Sequence, residues 1–268
     1  TLYFAASLSS LLTDWTVFTG DRSIRNRPVG PLLKALKTLG ASAFTTRKDI
    51  NSPPFVIKGP INSGTVKVEG NPSQYISSLL LTAPMCSGLM RIETDEPTEI
   101  PYIDLTIDWM KRTGITIVHE ENYKYFEIVG KQKYHNFKTV IPSDWSTVAF
   151  PLVAGLTEGS RLTINNLDFA DKQGDSEIVN ILKAMGAKIE VDEGKNMLKV
   201  VGGSQLRGIT VDCTNTPDIL PMLSVVGCIA EGVTVLENIA GIREKETDRV
   251  SVMEKELKKM GCNIETWH

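Results

Sequence analysis

Apolar residues recur with a helical period at four places along the chain, and each of these stretches runs into a glycine. The stretches are LLKALKTLGASAF, LTIDWMKRTGITIV, IVNILKAMGAKIEV and VMEKELKKMGCNIE. Their glycines are Gly40, Gly114, Gly186 and Gly261, which lie 72 to 75 residues apart. A glycine directly after an amphipathic helix is typical of a left-handed C-terminal cap. The pattern therefore predicts four capped helices in a repeating chain, each followed by a strand.

A second pattern keeps the same period and lies between the glycines. Its three copies are VKVEGNPSQYISSLLLTAP, KTVIPSDWSTVAFPLVAGL and ITVDCTNTPDILPMLSVVG. Each predicts a strand, a polar turn and an apolar helix, and we expect the helices to begin near Pro72, Asp144 and Pro217. The opening stretch TLYFAASLSSLL matches the helix alone. Because these helices are apolar on nearly all faces, we expect them to form a core surrounded by the amphipathic helices and the sheets.

One repeat unit is thus a βαβαββ segment, and the fold class is α/β (α+β). The closing hairpins are visible in TIVHEENYKYFEIVG and KIEVDEGKNMLKVVG, where two alternating runs flank a polar turn. The chain holds four units, of which the first and the last are incomplete. From this we expect a part of a longer protein; a natural chain with atypical end repeats is the alternative.

Composition and charge narrow the possible functions. Of the 268 residues, 41% are hydrophobic and 23% are charged, as in an ordinary globular protein. The net charge of -3 gives no long-range attraction for nucleic acid or an anionic membrane. The sequence has no apolar run long enough to span a bilayer, and its opening residues do not resemble a signal peptide. We therefore expect a cytoplasmic protein that binds neither nucleic acid nor membrane.

The cysteines and histidines do not favour a metal site. The chain has four cysteines and three histidines, and no two cysteines form a CxxC pair. This spacing is unlike that of zinc sites, so we expect no bound metal and free, buried thiols in a reducing compartment. The cysteines are Cys86, Cys213, Cys228 and Cys262.

Polar residues at the predicted helix starts are candidates for anion binding, because helix N-termini offer unpaired N–H groups and a positive dipole end. They are Ser73, Gln74, Asp144, Ser146 and Asp218. Ordinary helix capping is the alternative. We favour capping for Asp144 and Ser146; for Asp218 the local pattern also favours a cap, and anion binding stays open as the alternative.

Two charged segments can likewise be interpreted either as ligand-binding sites or as ordinary surface and capping segments. The loop GDRSIRNRP holds three arginines, Arg22, Arg25 and Arg27, and suggests phosphate or carboxylate binding in a chain that is acidic overall. A solvated loop is equally compatible. The segment REKETDR could cap a helix through Thr247, or present Lys245, Glu246 and Arg249 to a cleft.

These stretches together resemble the enolpyruvyl transferases, and most closely the EPSP synthase family. The resemblance rests on GDRSIRNRPVGPLLKALKTLGA, PSQYISSLLLTAP, PYIDLTIDWMKRTGI and TPDILPMLSVVGCIAEGVTVLENIAGIREKETDR, which occur in the family's order along the whole chain. It implies two domains built from βαβαββ units around buried helices, an inside-out α/β barrel. We expect residues 1–138 to form the acceptor and arginine-loop side, and residues 139–268 to form the Asp218 and KETDR side.

The resemblance implies transfer of the enolpyruvyl group of phosphoenolpyruvate to the 5-hydroxyl of shikimate 3-phosphate, with release of phosphate. By the same resemblance, Asp218 is the hydroxyl base, and Lys245 and Glu246 handle proton transfers. Such an addition and elimination needs a base, an acid and cations for the anionic groups. The resemblance implies no cofactor and favours a monomer.

The substrate contacts are assigned in the same way. Arg249 would hold the carboxylate of phosphoenolpyruvate and Arg27 its phosphate. The residues that would position shikimate 3-phosphate are Ser73, Gln74 and Tyr102.

Three positions depart from the family pattern. Tyr3 stands where the family usually has Arg, Pro72 where it has a second Ser, and Glu99 where it has a Ser near the acceptor phosphate. Two lost hydroxyl donors and an added carboxylate disfavour a phosphate. A different cyclic alcohol acceptor, or a non-catalytic anion-binding protein, therefore stays open as an alternative.

The family's sister enzyme, which acts on UDP-N-acetylglucosamine, usually has a reactive cysteine in its arginine loop. The loop GDRSIRNRP has none, which argues against that activity. Because the family's remaining N-terminal and C-terminal site segments are not in this sequence, we expect the chain alone to be inactive or very weakly active.

Overall fold

The structure is a computed structural model that describes residues 1–267. Its internal contacts divide the chain into two compact units, Thr1–Lys138 and Thr139–His268. Each unit has its own hydrophobic core. The functional assignment of the two sides stays a prediction.

Helices and strands alternate through both units. The α-helices of the described residues are α1 Leu2–Ser9, α2 Gly30–Thr38, α3 Gln74–Thr82, α4 Ile100–Arg112, α5 Trp145–Ala154, α6 Ile178–Ala184, α7 Leu220–Ile229 and α8 Arg249–Lys259. The strands are β1 Thr16–Phe18, β2 Ser42–Thr45, β3 Phe55–Lys58, β4 Gly64–Lys67, β5 Leu89–Glu93, β6 Val118–His119, β7 Tyr125–Val129, β8 Arg161–Asn165, β9 Lys188–Asp192, β10 Met197–Val201, β11 Thr210–Asp212 and β12 Val235–Glu237.

The segment from β4 to β7 is a whole βαβαββ repeat. Its sheet has the order β4-β5-β7-β6, in which β4 and β5 are parallel and the other pairs are antiparallel. A parallel pair needs a crossover connection, and α3 supplies it between β4 and β5. The predicted unit is therefore confirmed for this segment.

The other sheets are parts of the same pattern. The sheets β1-β3-β2 and β8-β10-β9 repeat the antiparallel portion, and the parallel pair β11-β12 repeats the crossover portion. The two hairpins predicted from the alternating runs are β6 with β7 and β9 with β10.

The four predicted glycine caps have the expected backbone. Gly40, Gly114, Gly186 and Gly261 all have positive φ, between 88° and 104°. Each lies just after the end of α2, α4, α6 or α8, where glycine adopts this conformation without the steric cost of a Cβ. The predicted helix ends are confirmed.

The apolar helices pack against one another inside each unit. In the first unit α1 packs on α3, and the hydroxyls of Ser7 and Ser78 are hydrogen-bonded between them at 2.8 Å. Seven of the nine residues of α3 are buried. In the second unit α5 packs on α7, but each helix also has an exposed apolar side chain, Phe150 and Ile229. Burial on nearly all faces is thus found for α3 and is incomplete for α5 and α7.

Two predicted strands are wrong. Residues 138–141 form no strand, and Val140 and Ile141 are 79% and 66% exposed. No strand follows Gly261 within the described residues either. After Gly40, Gly114 and Gly186, the new strand pairs with the next strand along the chain; residues 262–267 have no such pairing among residues 1–267. A strand needs a neighbour for its backbone hydrogen bonds, which a local pattern does not supply.

The length and composition of the described helices show whether any of them could cross a membrane. Among residues 1–267, no helix combines the length and apolar composition that crossing a membrane requires.

Candidate active site

Arg249 is held by two carboxylates at the start of α8. Its Nη1 donates to Asp218 Oδ1 at 2.5 Å, and its Nε and Nη2 donate to Glu246 Oε1 and Oε2 at 2.7 and 2.9 Å. Nη1 also reaches the carbonyl oxygen of Pro217 at 3.3 Å. The paired hydrogen bonds to Glu246 are the bidentate arrangement in which a guanidinium binds a carboxylate most firmly.

The position of Arg249 follows from the cap of α8. Asp248 accepts hydrogen bonds from the backbone N–H and the hydroxyl of Ser251, at 3.0 and 2.7 Å. Asp248, and not Thr247, is therefore the N-cap, so the structure does not show the first of the two interpretations of this segment, capping through Thr247. Thr247 therefore lies before the helix, and Arg249 is the first residue of α8. Arg243 strengthens this turn through an ion pair with Asp248 at 3.1 Å.

Asp218 lies in the turn that leads into α7. The N-cap of α7 is Ile219, so Asp218 stands just ahead of the helix and does not cap it. Its side chain turns to Arg249, 31 residues further along the chain. Of the two interpretations of Asp218, a role as a helix cap is thus excluded.

A cavity of about 400 Å³ opens beside these three charged groups. Its polar wall contains both carboxylates, the Arg249 guanidinium and three hydroxyl-bearing residues, and its apolar wall comes from α5, α7 and α8. The lining residues are Ser146, Thr147, Phe150, Asp218, Pro221, Glu246, Thr247, Arg249, Val252 and Met253. The cavity therefore offers a cation, carboxylate acceptors and an apolar floor to a small polar ligand.

The electrostatics keep Arg249 charged. Burial opposes the charge, but the hydrogen bonds and charges of Glu246 and Asp218 outweigh it and raise the pKa of Arg249 above its usual value. The Arg249 side chain is 18% exposed, whereas the Asp218 and Glu246 side chains are 30% and 38% exposed. Solvent and ligands can therefore reach both carboxylates. Lys245 is half-buried after the 3-10 helix Ala240–Glu244 and lies outside the cavity lining.

The N-terminus of α5 forms the part of the wall that holds Ser146 and Thr147. Asp144 accepts from the backbone N–H groups of both residues, as predicted for a helix cap. The hydroxyl of Ser146 donates to Asp175 Oδ2 at 2.5 Å, and Asp175 is only 1% exposed. Ser146 is therefore bonded to a buried carboxylate from the 3-10 helix Gly174–Glu177, just before α6, and is not a cap, which corrects the prediction for Ser146.

In the first unit, Ser73 and Glu99 join the starts of two helices. Ser73 is the N-cap residue of α3 and Glu99 that of α4, and the Ser73 hydroxyl donates to Glu99 Oε2 at 2.8 Å. Further along, the Thr106 hydroxyl donates to the Ser77 hydroxyl at 2.8 Å, so the two helices run side by side. The carboxylate thus lies where two positive helix ends meet, which favours a negative charge.

Gln74 and Tyr102 lie in the first turns of the same two helices. Gln74 is the first residue of α3, and the Tyr102 backbone N–H donates to the carbonyl oxygen of Glu99 at 3.0 Å. Both side chains are partly exposed, whereas Ser73 and Glu99 are buried at 1% and 7% exposure. The three residues predicted from sequence therefore lie at the starts of two helices that the bond between Ser73 and Glu99 joins.

Arg27 belongs to a second cluster in this unit. It directly follows the 3-10 helix Ile24–Asn26 and is hydrogen-bonded to the Tyr3 hydroxyl. The hydroxyls of Tyr3 and Tyr75 both donate to the carbonyl oxygen of Pro28, at 3.0 and 2.8 Å. The two rings meet edge to face with centroids 5.0 Å apart. Burial raises the pKa of both tyrosines, so they stay neutral hydrogen-bonding groups beside the Arg27 guanidinium.

The order and identity of these residues along the chain match one protein family. Residues 3–268 fit the model of EPSP synthase (3-phosphoshikimate 1-carboxyvinyltransferase). The chain belongs to this family. The resemblance found in the sequence is therefore confirmed.

Named EPSP synthase relatives cover nearly all of the chain. The 3-phosphoshikimate 1-carboxyvinyltransferase of Acetivibrio thermocellus is 40% identical over 264 residues, which are 98% of this chain and 61% of the relative. That of Methanothrix thermoacetophila is 42% identical over 266 residues, 98% of this chain and 62% of the relative. The chain thus spans about three fifths of the length of these relatives.

Solved structures give the same fold. The EPSP synthase of Acinetobacter baumannii superposes with a TM-score of 0.74 at 28% identity, over 96% of this chain and 58% of that one. The enolpyruvyl transferase NikO of Streptomyces tendae has a TM-score of 0.64 at 15% identity, over 83% of this chain and 52% of its own. The predicted enolpyruvyl transferase fold is confirmed.

Some features of this EPSP synthase family member were missed by sequence reasoning. The motifs found Asp218, Glu246 and Arg249, but did not predict that the first two would bind the third. Asp175 was not singled out at all, because the sequence alone does not distinguish a buried carboxylate in a polar segment from a solvated one. Arg22 and Arg25 are exposed, so of the three loop arginines only Arg27 joins the cluster described above.

Proposed function

We propose that this chain carries enolpyruvyl-transfer machinery of the EPSP synthase type, acting on phosphoenolpyruvate and shikimate 3-phosphate. The observation that supports it most is the placement of Asp218, Glu246 and Arg249 around one cavity. Relatives at about 40% identity that are named 3-phosphoshikimate 1-carboxyvinyltransferase add to it. No cofactor enters the proposal.

The proposed chemistry needs a proton acceptor and a proton donor. The acceptor hydroxyl loses its proton as its oxygen bonds to C2 of phosphoenolpyruvate, whose methylene carbon gains a proton. The C2–phosphate bond then breaks, phosphate leaves and the methylene carbon gives its proton back. We assign the hydroxyl proton to Asp218 and the methylene proton to Lys245 and Glu246.

The anionic groups need fixed cations. We assign the carboxylate of phosphoenolpyruvate to Arg249, whose guanidinium already lies in a carboxylate-binding geometry. The carboxylate of phosphoenolpyruvate would displace Asp218 or Glu246 from Arg249, or bind the guanidinium beside them. Once released from Arg249, Asp218 would be free to act as the base. We assign the phosphate of phosphoenolpyruvate to Arg27, and contacts to the acceptor to Ser73, Gln74 and Tyr102.

A second candidate function is supported by the bond between Ser73 and Glu99. The Ser73 hydroxyl already donates to the Glu99 carboxylate, whereas the phosphate of the acceptor would need that hydrogen bond. The phosphate and the carboxylate would also repel each other, because both are negatively charged. An enolpyruvyl transferase for an unphosphorylated cyclic alcohol would have no such conflict. The carbon skeleton of shikimate without its phosphate is the simplest acceptor of this kind.

The experiment that tests both uses a chimaera. This chain replaces the matching segment of the Acetivibrio thermocellus relative, which supplies the remaining residues of that protein. Phosphate release from phosphoenolpyruvate is then measured with shikimate 3-phosphate and with shikimate. The unmodified relative is the positive control, and the 268-residue chain alone is measured beside it.

The outcomes separate the candidates. Release with shikimate 3-phosphate supports the first function, and release with shikimate alone supports the second. A chimaera that folds, binds phosphoenolpyruvate and turns over neither acceptor contradicts both and favours the non-catalytic anion-binding protein. Circular dichroism and a cooperative melting transition establish that it has folded.

A further inference from the structure

The first turn of α5, which forms one wall of the cavity, has its backbone N–H groups bonded within the protein. The N–H of Trp145 donates to Gln173 Oε1 at 2.8 Å. Those of Ser146 and Thr147 donate to the Asp144 carboxylate, both at 3.3 Å. A helix N-terminus commonly offers such groups to a bound anion. Here protein oxygens already take them, so these N–H groups are not available to a phosphate or carboxylate in the cavity.

The hydroxyls of the same turn also donate to protein carboxylates. The Ser146 hydroxyl donates to Asp175 Oδ2 and the Thr147 hydroxyl to Asp144 Oδ2, each at 2.5 Å. A hydroxyl has one proton and two lone pairs, so an oxygen whose proton is bonded to a carboxylate can only accept a further hydrogen bond. Ser146 and Thr147 both line the cavity. They therefore present acceptor oxygens to a ligand.

The two hydroxyls differ in how firmly they are held. Asp175, in the 3-10 helix Gly174–Glu177, is 1% exposed, whereas Asp144 is exposed. Water can replace a hydrogen bond that an exposed carboxylate loses, but a buried carboxylate that loses a donor has no such replacement. The orientation of the Ser146 hydroxyl is therefore fixed, and that of the Thr147 hydroxyl can change.

The backbone that carries Ser146 is held in place as well. The neighbouring Trp145 is fully buried, and its indole N–H donates to the carbonyl oxygen of Asp168 at 3.2 Å. Its ring meets that of Phe169 edge to face, with centroids 5.5 Å apart. Helix α5 also packs on the 3-10 helix Gly174–Glu177. A ligand that binds Ser146 therefore does not have to order it first, which favours affinity.

We propose that Ser146 is a specificity-determining residue of this cavity, which accepts a hydrogen bond from a hydroxyl of the bound cyclic alcohol, and that Asp175 is the positioning residue that keeps the Ser146 hydroxyl in this orientation. The inference rests on the enolpyruvyl-transfer function proposed above and adds which part of the acceptor lies against α5.

The charge of the cavity walls divides a ligand between them. Arg249 supplies the cation for an anionic group, and Ser146 supplies an acceptor oxygen for a hydroxyl. An ionised phosphate or carboxylate beside Ser146 would bring its lone pairs against those of the serine oxygen. A site built to bind a hydroxyl also disfavours an analogue that lacks it, because the polar group of the site is then left unpaired.

Binding of shikimate to the 268-residue chain, measured by calorimetric titration, tests the proposal. The matched ligand is cyclohex-1-enecarboxylate, which has the ring and the carboxylate of shikimate but no hydroxyl. The natural chain should bind shikimate more tightly than this ligand. Ser146→Ala should weaken shikimate binding by about fivefold to tenfold, the size of one hydrogen bond, and leave the binding of the matched ligand unchanged.

A control variant and a double-mutant cycle complete the test. Thr157→Val should change the binding of neither ligand, because Thr157 is exposed beyond the end of α5 and outside the cavity lining. Asp175→Asn keeps an acceptor oxygen for the Ser146 hydroxyl and should retain most of the shikimate affinity, whereas Asp175→Ala should lose it. In a chain that already carries Ser146→Ala, Asp175→Ala should cause no further loss, because Asp175 acts through Ser146.

The outcomes separate this inference from the proposed function. Equal shikimate affinity of the natural chain and Ser146→Ala, or no measurable binding by the natural chain, would overturn the inference. Additive losses from Ser146→Ala and Asp175→Ala would remove Asp175 as the positioning residue. If Asp175→Ala does not fold, Asp175→Asn and Ser146→Ala still decide. Shikimate binding that depends on Ser146, in a chain whose chimaera turns over neither acceptor, would contradict the proposed function alone.

Discussion

Asp218 and Arg249 form a 2.5 Å ion pair across 31 residues of sequence, and it lies where α7 and α8 begin. Both groups are partly desolvated, with 30% and 18% of their side chains exposed. The pair places a carboxylate and a guanidinium beside one cavity.

Asp218→Asn should lower turnover in the chimaera by about a hundredfold to ten-thousandfold, since an amide keeps a hydrogen bond to Arg249 but does not accept the hydroxyl proton. Steady-state phosphate release measures it. Asp212→Asn is the control, because Asp212 is an exposed carboxylate six residues earlier and outside the cavity lining. Equal turnover of the Asp218 variant and the parent would remove Asp218 as the base.

Glu99→Ser should improve the use of a phosphorylated acceptor. It removes a buried negative charge from the Ser73 hydroxyl and supplies a second hydroxyl donor, so KM for shikimate 3-phosphate in the chimaera should fall by about tenfold. Glu99→Gln is the matched variant that removes only the charge.

The two variants divide the effect of Glu99 into its parts. If charge repulsion is the main effect of Glu99, Glu99→Gln should give most of the decrease in KM. If the missing hydroxyl donor is the main effect, only Glu99→Ser should lower the KM. An unchanged or higher KM in both would mean that Glu99 lies outside the acceptor site.

Arg27→Ala should weaken the binding of phosphoenolpyruvate, raising its KM in the chimaera by about tenfold to a hundredfold, the size of a lost charged hydrogen bond. Arg25→Ala is the control within the same loop, because its side chain is exposed and its backbone carbonyl still accepts from Arg47. Equal KM values for the two variants would identify the loop as an ordinary charged surface.

Asp248→Ala should destabilise the start of α8 by about 1 kcal/mol, whereas Asp248→Asn, which can still cap the helix, should cost less. Urea unfolding of the 268-residue chain at pH 7 measures both. A cost for Ala no greater than for Asn would contradict the role of Asp248 as the cap.

The stability that Asp248 contributes should also depend on pH. Hydrogen bonds from the Ser251 hydroxyl and backbone N–H, together with Arg243, lower the pKa of Asp248 below its usual value. A carboxyl with a lowered pKa stabilises the fold at neutral pH, and this contribution is lost as the pH falls below about 4. The difference in melting temperature between the natural chain and Asp248→Asn should therefore shrink between pH 5 and pH 3. A constant difference would show that the charge of Asp248 is irrelevant.

Local chemistry alone determined the repeat and its helix ends. The glycines Gly40, Gly114, Gly186 and Gly261 were predictable because a left-handed residue after a helix is a property of a few neighbouring residues. The βαβαββ order followed from hydrophobic periodicity for the same reason. The site residues were found through the family motifs, which record residue types in order and say nothing about their contacts.

The tertiary structure decided the contacts between distant residues. Pairing of Asp218 with Arg249 and of Ser73 with Glu99 depends on which helices lie side by side. The failed strand at residues 138–141 has the same origin, because a strand forms only when a neighbour accepts its hydrogen bonds. Sequence patterns therefore fixed what each segment tends to form, and long-range packing fixed which side chains meet.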